Sequence, residues 1–317
     1  MNVSVHARTT TVLAMIVLCA SVARGQTSTV YNFLRNDVGA RAAAMGGNLL
    51  TAPNDPDALF YNPATLATLE GPRGSLGYFK HILDINAGHI VYGQPVENVG
   101  FLGAGVLYTN YGSFTQTDES GVSLGTFSAG DVALTLSYAN FLDTNLSYGA
   151  NLKFIYSSIA GYTSTGLAGD VGILYRIPDS RLALGASIRN VGTQFSTYLG
   201  AKEKIPLDVA VGLSVIPKGL PLLFAIGFHR LNDEVDSFGD RFRAFTVGGE
   251  FTLSKVLQLR FGYDNARRKD LQVGSTSGLA GFSTGLGIHI QEWNVDFALS
   301  SLGKVATLYR ISLGRSF

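Results

Sequence analysis

The sequence predicts an all-β protein, a transmembrane antiparallel β-barrel of about 14 strands preceded by a short N-terminal helical hatch. Three observations carry that reading. From about residue 73 onward, segment after segment alternates large apolar with small or polar residues at period 2. Charged residues make up only 15% of the chain while it holds 38 glycines and 11% aromatics, whereas soluble domains sit nearer a quarter charged. Connections between the alternating segments are short and long by turns, the asymmetry of barrels with tight turns on one side of a membrane and loops on the other.

The chain opens with a stretch that reads as a signal peptide, residues 1–25. Arg8 supplies the positive region, Thr11 to Ala20 is a ten-residue apolar core, and small residues offer cleavage after Gly25 or Ala23. The apolar run falls well short of the roughly 20 residues a helical span needs. Cys19 is the only cysteine, and cleavage discards it, so no disulfide, thiol nucleophile or cysteine metal site is expected in the mature chain. No later stretch approaches 18 consecutive apolar residues. The division expected is leader 1–25, hatch 26–71 and barrel 72–317.

The predicted strands are 74–82, 86–95, 98–110, 130–141, 145–157, 164–176, 181–191, 205–216, 219–230, 241–253, 256–266, 277–290, 293–302 and 305–316. Most reach the 9–11 residues, roughly, that a tilted strand needs to cross a bilayer. Val132, Leu134, Leu136 and Tyr138 alternate with Asp131, Ala133, Thr135 and Ser137, and Trp293, Val295, Phe297 and Leu299 with Asn294, Asp296, Ala298 and Ser300. The long polar connections are 111–129, 192–204, 231–240 and 267–276. An even strand number returns the C-terminus to the short-turn side, where the hatch is expected to start. The last strand carries Tyr309, Ile311 and Leu313 on one face and closes at Phe317. A terminal aromatic on such a strand resembles the β-signal read by the bacterial barrel-assembly machinery.

Turning the large apolar face outward puts Asp131, Lys153, Asp170, Arg176, Asp208, Glu250, Arg260, Asp264, His289, Asp296 and Arg310 in the lumen. A basic residue facing lipid at the midplane would cost about 2–4 kcal/mol, so eleven ionisable residues on one parity fix the inside of the wall. Both signs occur in similar number, which suggests ion pairs with a plug rather than a pore of single-sign selectivity.

The plug candidate, Gln26 to Gly71, lacks strand alternation. Its run GARAAAMGG at 39–47, with Ala42 and Met45, favours a helical turn ended by Gly46 and Gly47. In DPDALFYNPATLA at 55–67, Asn54 or Asp55 is placed to cap a short helix with Pro56 at its first position, and Pro63 interrupts it.

These residues carry a resemblance. Tyr31-Asn32-Phe33-Leu34, the run at 39–47 and the Asn62-Pro63-Ala64 element resemble the opening of the PorV/PorQ family, closest to the PorQ branch. Tyr61 departs from the Trp that commonly precedes Asn-Pro-Ala there. The resemblance implies a 14-stranded barrel of the FadL type and a place in a type IX secretion system, anchoring or docking PorU-, PorV- and PorZ-type components at the cell surface. Outer-membrane lipid and the assembly machinery are the other partners implied, with room for a bound lipid or detergent-like molecule. The competing function is a FadL-like uptake channel for hydrophobic small molecules. It requires a continuous apolar path between hatch and wall and a lateral opening at a strand kink.

The sequence offers no chemistry of its own. His81, His89, His229 and His289 stand without an HExxH pair or cysteine cluster, so neither a metal centre nor a cofactor is expected. The glycine-rich Gly281 to Gly287 lies within a strand, which argues against a phosphate loop. Asp55 and Asp57 read as caps rather than a catalytic pair, and no nucleophile motif supports a barrel hydrolase. A net charge of +1 with scattered basic residues sets nucleic acid aside. The expectation is an outer-membrane protein that is not an enzyme.

Overall fold

A computed structural model describes residues 29–235, 237–271 and 278–317. The leader and Cys19 therefore lie outside the described residues. The fourteen strands are β1 (Arg73–Lys80), β2 (Asn86–Val96), β3 (Gly100–Thr117), β4 (Ser123–Asp143), β5 (Leu146–Ile159), β6 (Tyr162–Ile177) and β7 (Leu182–Ser196). They continue as β8 (Asp208–Val215), β9 (Leu222–Phe228), β10 (Phe245–Thr252), β11 (Leu257–Asp264), β12 (Phe282–Ile290), β13 (Trp293–Ser301) and β14 (Thr307–Ser316). Each pairs antiparallel with its sequence neighbours, and β1 pairs with β14 to close the barrel. Closure removes the free edges that would otherwise leave backbone groups unpaired in lipid.

The outer face is apolar and exposed: Leu134, Leu136, Leu152, Phe154, Leu259, Phe261, Phe297, Tyr309 and Ile311 all point away from the lumen. The inner face is small or polar, with Ala133, Thr135, Ser137 and Ala139 buried on β4 alone. Aromatics gather where the wall ends. Phe317 sits beyond the last strand with its ring 6.1 Å from Tyr92, and its N–H donates to Pro72 O at 3.0 Å. Arg315 stacks on both Trp293 and Phe317, at 4.9 and 5.0 Å.

Two expectations change. The connection placed at 111–129 is mostly strand, because β3 continues to Thr117 and β4 starts at Ser123, with Phe114 stacked on Phe127 at 5.3 Å. A hairpin standing clear of lipid has solvent on both faces, so its residues need no apolar–polar alternation. A register shift between Asn110 and Ser113 marks where it leaves the wall. β7 likewise runs past its predicted end at 191, on to Ser196. The connection after β9 carries a 3-10 turn, Phe238–Arg243, and the one after β11 a short helix, α2 (Asn265–Asp270).

The second change concerns the hatch. It begins at the loop end of the barrel, opposite Phe317. Val30 N donates to Lys204 O at 3.0 Å, and the Tyr31 hydroxyl lies 2.6 Å from Ser164 Oγ, both at the loop end. The chain then threads the lumen and leaves beside Phe317 through Pro72. Strand parity says which way side chains point and carries nothing about which mouth the preceding segment enters.

Within the lumen the hatch is a chain of short turns. Helix α1 (Ala40–Ala44) ends at Gly46 and Gly47, whose φ of 71° and 83° lie in the left-handed region that suits glycine. Asp55 caps a 3-10 turn at Pro56–Phe60 by accepting from Asp57 N at 2.9 Å. Asn62 caps a second at Pro63–Thr68, accepting from Ala64 N at 3.1 Å. Pro63 thus both ends one turn and opens the next, since its fixed φ suits a first helical position.

The wall receives these turns at glycines. A Cβ at Gly172 would lie 2.0 Å from Asn62 Oδ1, and one at Gly149 would lie 2.4 Å from the carbonyl carbon of Pro63. A Cβ at Gly262 would lie 2.1 Å from Gly46 N, and one at Gly248 would lie 2.7 Å from Met45 O. Overpacking such contacts costs about 1–3 kcal/mol. Gly172→Leu or Gly262→Leu is therefore expected to unseat the hatch, making residues 29–72 sensitive to protease. The unboiled barrel should keep its altered mobility on a detergent gel, and a hatch that stays protected would contradict the socket role.

Candidate functional site

The site is the seam between hatch and wall, held by four polar clasps around an apolar spine. The first clasp is a chain of alternating charges. Arg41 on α1 holds Glu250 through two bonds of 2.8 Å and Asp55 at 3.0 Å. Arg260 then bonds Glu250 at 2.6 Å and Asp296 at 2.5 Å. Burial would lower the Arg41 pKa, but Glu250 and Asp55 beside it raise it instead. Asp55 is raised by burial and by its neighbour Asp57, against the pull of Arg41.

The second clasp joins Asp37 of the hatch to Arg267 on α2 at 2.6 Å, with Arg310 of β14 at 3.9 Å. Burial opposes the charged carboxylate here, yet Arg267 and Arg310 hold it below the usual carboxylate range. Arg310 also lies 4.6 Å over the Phe79 ring and donates to Ser300 Oγ at 3.2 Å. Tyr61 closes the same region by accepting from Val38 N at 2.7 Å, and burial and Asp37 push its hydroxyl well above the ordinary range.

The third clasp sets Asp57 against His89 and Ser75. His89 Nε2 lies 3.1 Å from Asp57 Oδ1 and 3.4 Å from Ser75 Oγ, which also donates to Asp57 Oδ2 at 3.3 Å. Serine and aspartate thus share one ring nitrogen. A nucleophilic relay requires them on opposite nitrogens, so the grouping fastens the hatch and does not activate the serine.

The fourth clasp is built on a bulge in β7. The β6–β7 register shifts between Gly169 and Val171, leaving Arg189 and Asn190 both turned inward, with Asn190 at φ 61°. Asn190 N donates to Asp170 Oδ1 at 2.8 Å, and Lys153 Nζ bonds Asp170 and Asn190 Oδ1, each at 2.8 Å. Asn151 donates to Asp170 at 2.7 Å and to Leu59 O of the hatch at 2.9 Å. Arg189 pairs with Asp208 and donates to Phe60 O at 3.1 Å.

The structure also places the other residues singled out in the sequence. Asp131 accepts from Tyr111 at 2.7 Å and from Ser157, outside the four clasps. Asp264 caps α2 by accepting from Arg267 N at 3.1 Å. His289 bonds Gln258 at 2.9 Å beside a polar vestibule at the turn end. Arg176 stacks 5.8 Å over Phe141. His229 stands beyond the end of β9, 3.9 Å from Asp264. Tyr309, Ile311 and Leu313 lie on the outer face, away from the seam. The bulge at Asn190 and the clasp at Asp37 were missed, because neither alternation nor motif spacing marks them.

Apolar residues fill the space between the clasps. One cluster runs from Val30, Phe33 and Leu34, packed with Ile205, through Met45, Leu49 and Leu59 to Leu66 and Ala139. At the loop end the wall above this cluster is broken. β7 pairs with β8 only from Leu182↔Val215 to Arg189↔Asp208, while β7 itself continues to Ser196 with β6 alone beside it. The break is closed by the connection 197–207 and by the first hatch residues. Thr29 pairs with Lys204, Glu203 N donates to Gln194 Oε1 at 2.7 Å, and Gln194 donates to Ser164 Oγ, which meets Tyr31.

The fold is shared with solved outer-membrane channels. The toluene transporter TbuX of Ralstonia pickettii superposes with a TM-score of 0.64 at 16% identity, covering 91% of this chain and 100% of the transporter. The toluene transporter TodX of Pseudomonas putida gives 0.59 at 16%, covering 92% of this chain and 98% of its own. A FadL homologue from Pseudomonas aeruginosa gives 0.55 at 11%, covering 88% and 98%. At these identities the likeness establishes a FadL-type barrel with a hatch as the fold. No protein-family model and no curated protein sequence matches the chain.

Two measurements test the clasps. Glu250→Gln leaves Arg41 and Arg260 without their shared partner, and breaking a buried pair costs about 3–5 kcal/mol. Hydrogen exchange across residues 37–57 is expected to rise accordingly. Asp37 has a folded pKa below its unfolded value, so its stabilisation is present above about pH 4 and is lost as pH falls through the folded value. Hatch exchange is expected to speed up in that acidic window, and Asp37→Asn should flatten that part of the profile.

Proposed function

We propose that the chain is a bacterial outer-membrane conduit for a hydrophobic small molecule, here with its hatch seated and its lateral break closed. The observation that carries the reading is the interrupted β7–β8 ladder, sealed by hatch residues Thr29 to Tyr31 rather than by a strand. A ladder break costs hydrogen bonds that a barrel has no structural need to forgo. Behind it the cluster from Val30 to Leu66 is apolar along the hatch–wall seam, the surface a hydrophobic molecule would follow. Displacing Val30 to Leu34 uncovers that surface while the glycine sockets lower down keep the rest of the hatch in place. TbuX and TodX are toluene transporters, and TodX is a monoaromatic hydrocarbon channel, which agrees with an apolar cargo.

The second reading is a docking barrel of a type IX secretion system, supported by the resemblance at residues 31–34, 39–47 and 55–67 and by the long connections at the loop end. Co-purification from native membranes separates the two. Recovery of a PorU- or PorZ-type partner supports docking, and retained hydrophobic ligand without protein supports conduction.

A cross-link tests the seal directly. The only cysteine in the sequence is Cys19, so Thr29→Cys with Lys204→Cys introduces a single engineered pair at residues that face each other. Uptake of a hydrophobic tracer is expected to fall at least tenfold on oxidation and to recover with reductant. Uptake indifferent to the cross-link would sink the conduit reading.

A further inference from the structure

A second site lies outside the barrel, at the loop rim above β9 to β12. We propose that it binds the phosphate of an outer-leaflet lipid whose acyl chains lie against the wall below. Six aromatic rings make an apolar floor there. Phe282, Tyr263 and Phe245 pack in series with ring centroids 4.9 and 5.9 Å apart, all on the outer face. Phe228 carries the second group, with Phe242 edge-on at 5.5 Å and Phe238 at 5.5 Å from Phe242.

Phe238 and Phe242 belong to the 3-10 turn Phe238–Arg243 rather than to a strand, and Phe238 is 77% exposed. Phe242 packs on the outward ring of Phe228, which brings the turn over the outer wall. Its position there is costly in water and favourable against acyl chains, as for an amphipathic segment lying in a membrane interface.

Two cations sit at the upper border of this floor. Arg243 closes the aromatic turn with its side chain 63% exposed and bonds only one edge of its fork to Asp240, at 2.5 Å. Asn265 donates to Arg243 O at 2.8 Å and accepts from the Tyr263 hydroxyl at 2.9 Å, tying the start of α2 to the aromatic floor. Lys269 stands four residues on, on the same helix face as Asn265, and is exposed with no partner among the described residues. The nearby Asp270, next to Lys269 in the chain, is engaged by Arg230 at 3.5 Å. A guanidinium fork and an ammonium above aromatic rings match a phosphate monoester joined to acyl chains. A free anion has no use for the floor, and a neutral lipid none for the cations.

The test uses the full-length protein in detergent or nanodiscs. Its probes are a bisphosphorylated acyl-glucosamine disaccharide lipid, the same lipid without phosphates, and inorganic phosphate, with binding read by native mass spectrometry and titration. The bisphosphorylated lipid is expected to bind at least tenfold more tightly than its dephosphorylated form. Arg243→Gln with Lys269→Gln is expected to weaken it roughly thirtyfold, from about fivefold per charge. Phe238→Ser with Phe242→Ser should weaken both lipids. Equal binding of the two lipids, or full affinity in the double-glutamine variant, overturns the proposal. Displacement of the lipid by inorganic phosphate at matching concentration also overturns it, by marking a free-anion site. Altered mobility before boiling establishes that each variant is a closed barrel, and the wild-type lipid comparison stands without any variant. Hydrophobic tracer uptake is a separate readout, so failure here leaves the conduit reading untouched.

Discussion

The hatch touches the wall where a side chain has no room. At Gly149 and Gly172 the backbone and side chain of Asn62-Pro63-Ala64 take the space of the missing Cβ atoms, and at Gly248 and Gly262 Met45 and Gly46 do the same. These two contacts fix the hatch in height and rotation. With α1 held at β10 and β11, Arg41 comes within reach of Glu250, and with the second 3-10 turn held at β5 and β6, Asn151 reaches Leu59 O. The glycine content of the wall is thus a property of its inner surface as much as of its turns.

The charges inside the barrel follow from the same docking. A carboxylate or guanidinium turned into a narrow lumen is desolvated whether or not a partner arrives, and an unpaired buried charge is the most costly arrangement of all. The wall alone leaves Glu250 to Arg260, Asp296 to the same arginine, and Arg310 to a hydroxyl and a ring. Arg41 and Asp37 of the hatch complete those groups. Seating the hatch is therefore an electrostatic event as well as a packing one, and the clasps resist withdrawal of the segment as a whole. The loop-end residues Thr29 to Leu34 are tied by a single backbone bridge and hydroxyl contacts, so movement is cheapest there.

That uneven fastening bears on function. A plug held equally along its length would only block a barrel. Here the clasped part runs from Asp37 to Phe60, and the weakly tied residues Thr29 to Leu34 cover the place where the β7–β8 ladder stops. The bulge at Arg189 and Asn190 makes the arrangement possible, because it turns two successive residues inward and lets β7 continue beyond the end of its neighbour. Outside, aromatic rings at both ends of the wall mark the height at which the protein meets headgroups, and the rim above β9 to β12 adds cations to them.

The sequence by itself determined the fourteen strands, their antiparallel succession and the direction of the last one. Each rests on a local rule, since alternation needs only neighbouring residues and lipid punishes every exception. The cap at Asp55 and the glycine stop after α1 were legible for the same reason, being set by residues two or three positions apart. The tertiary structure alone decided which mouth the hatch enters, which wall charge meets Arg41, and that Asp57, His89 and Ser75 converge on one nitrogen. It also decided that the region 111–129 is a strand pair and that β8 stops short of β7. Those facts depend on contacts between residues far apart in sequence, or on strand outside the lipid where no apolar face is required, and period 2 carries no trace of either.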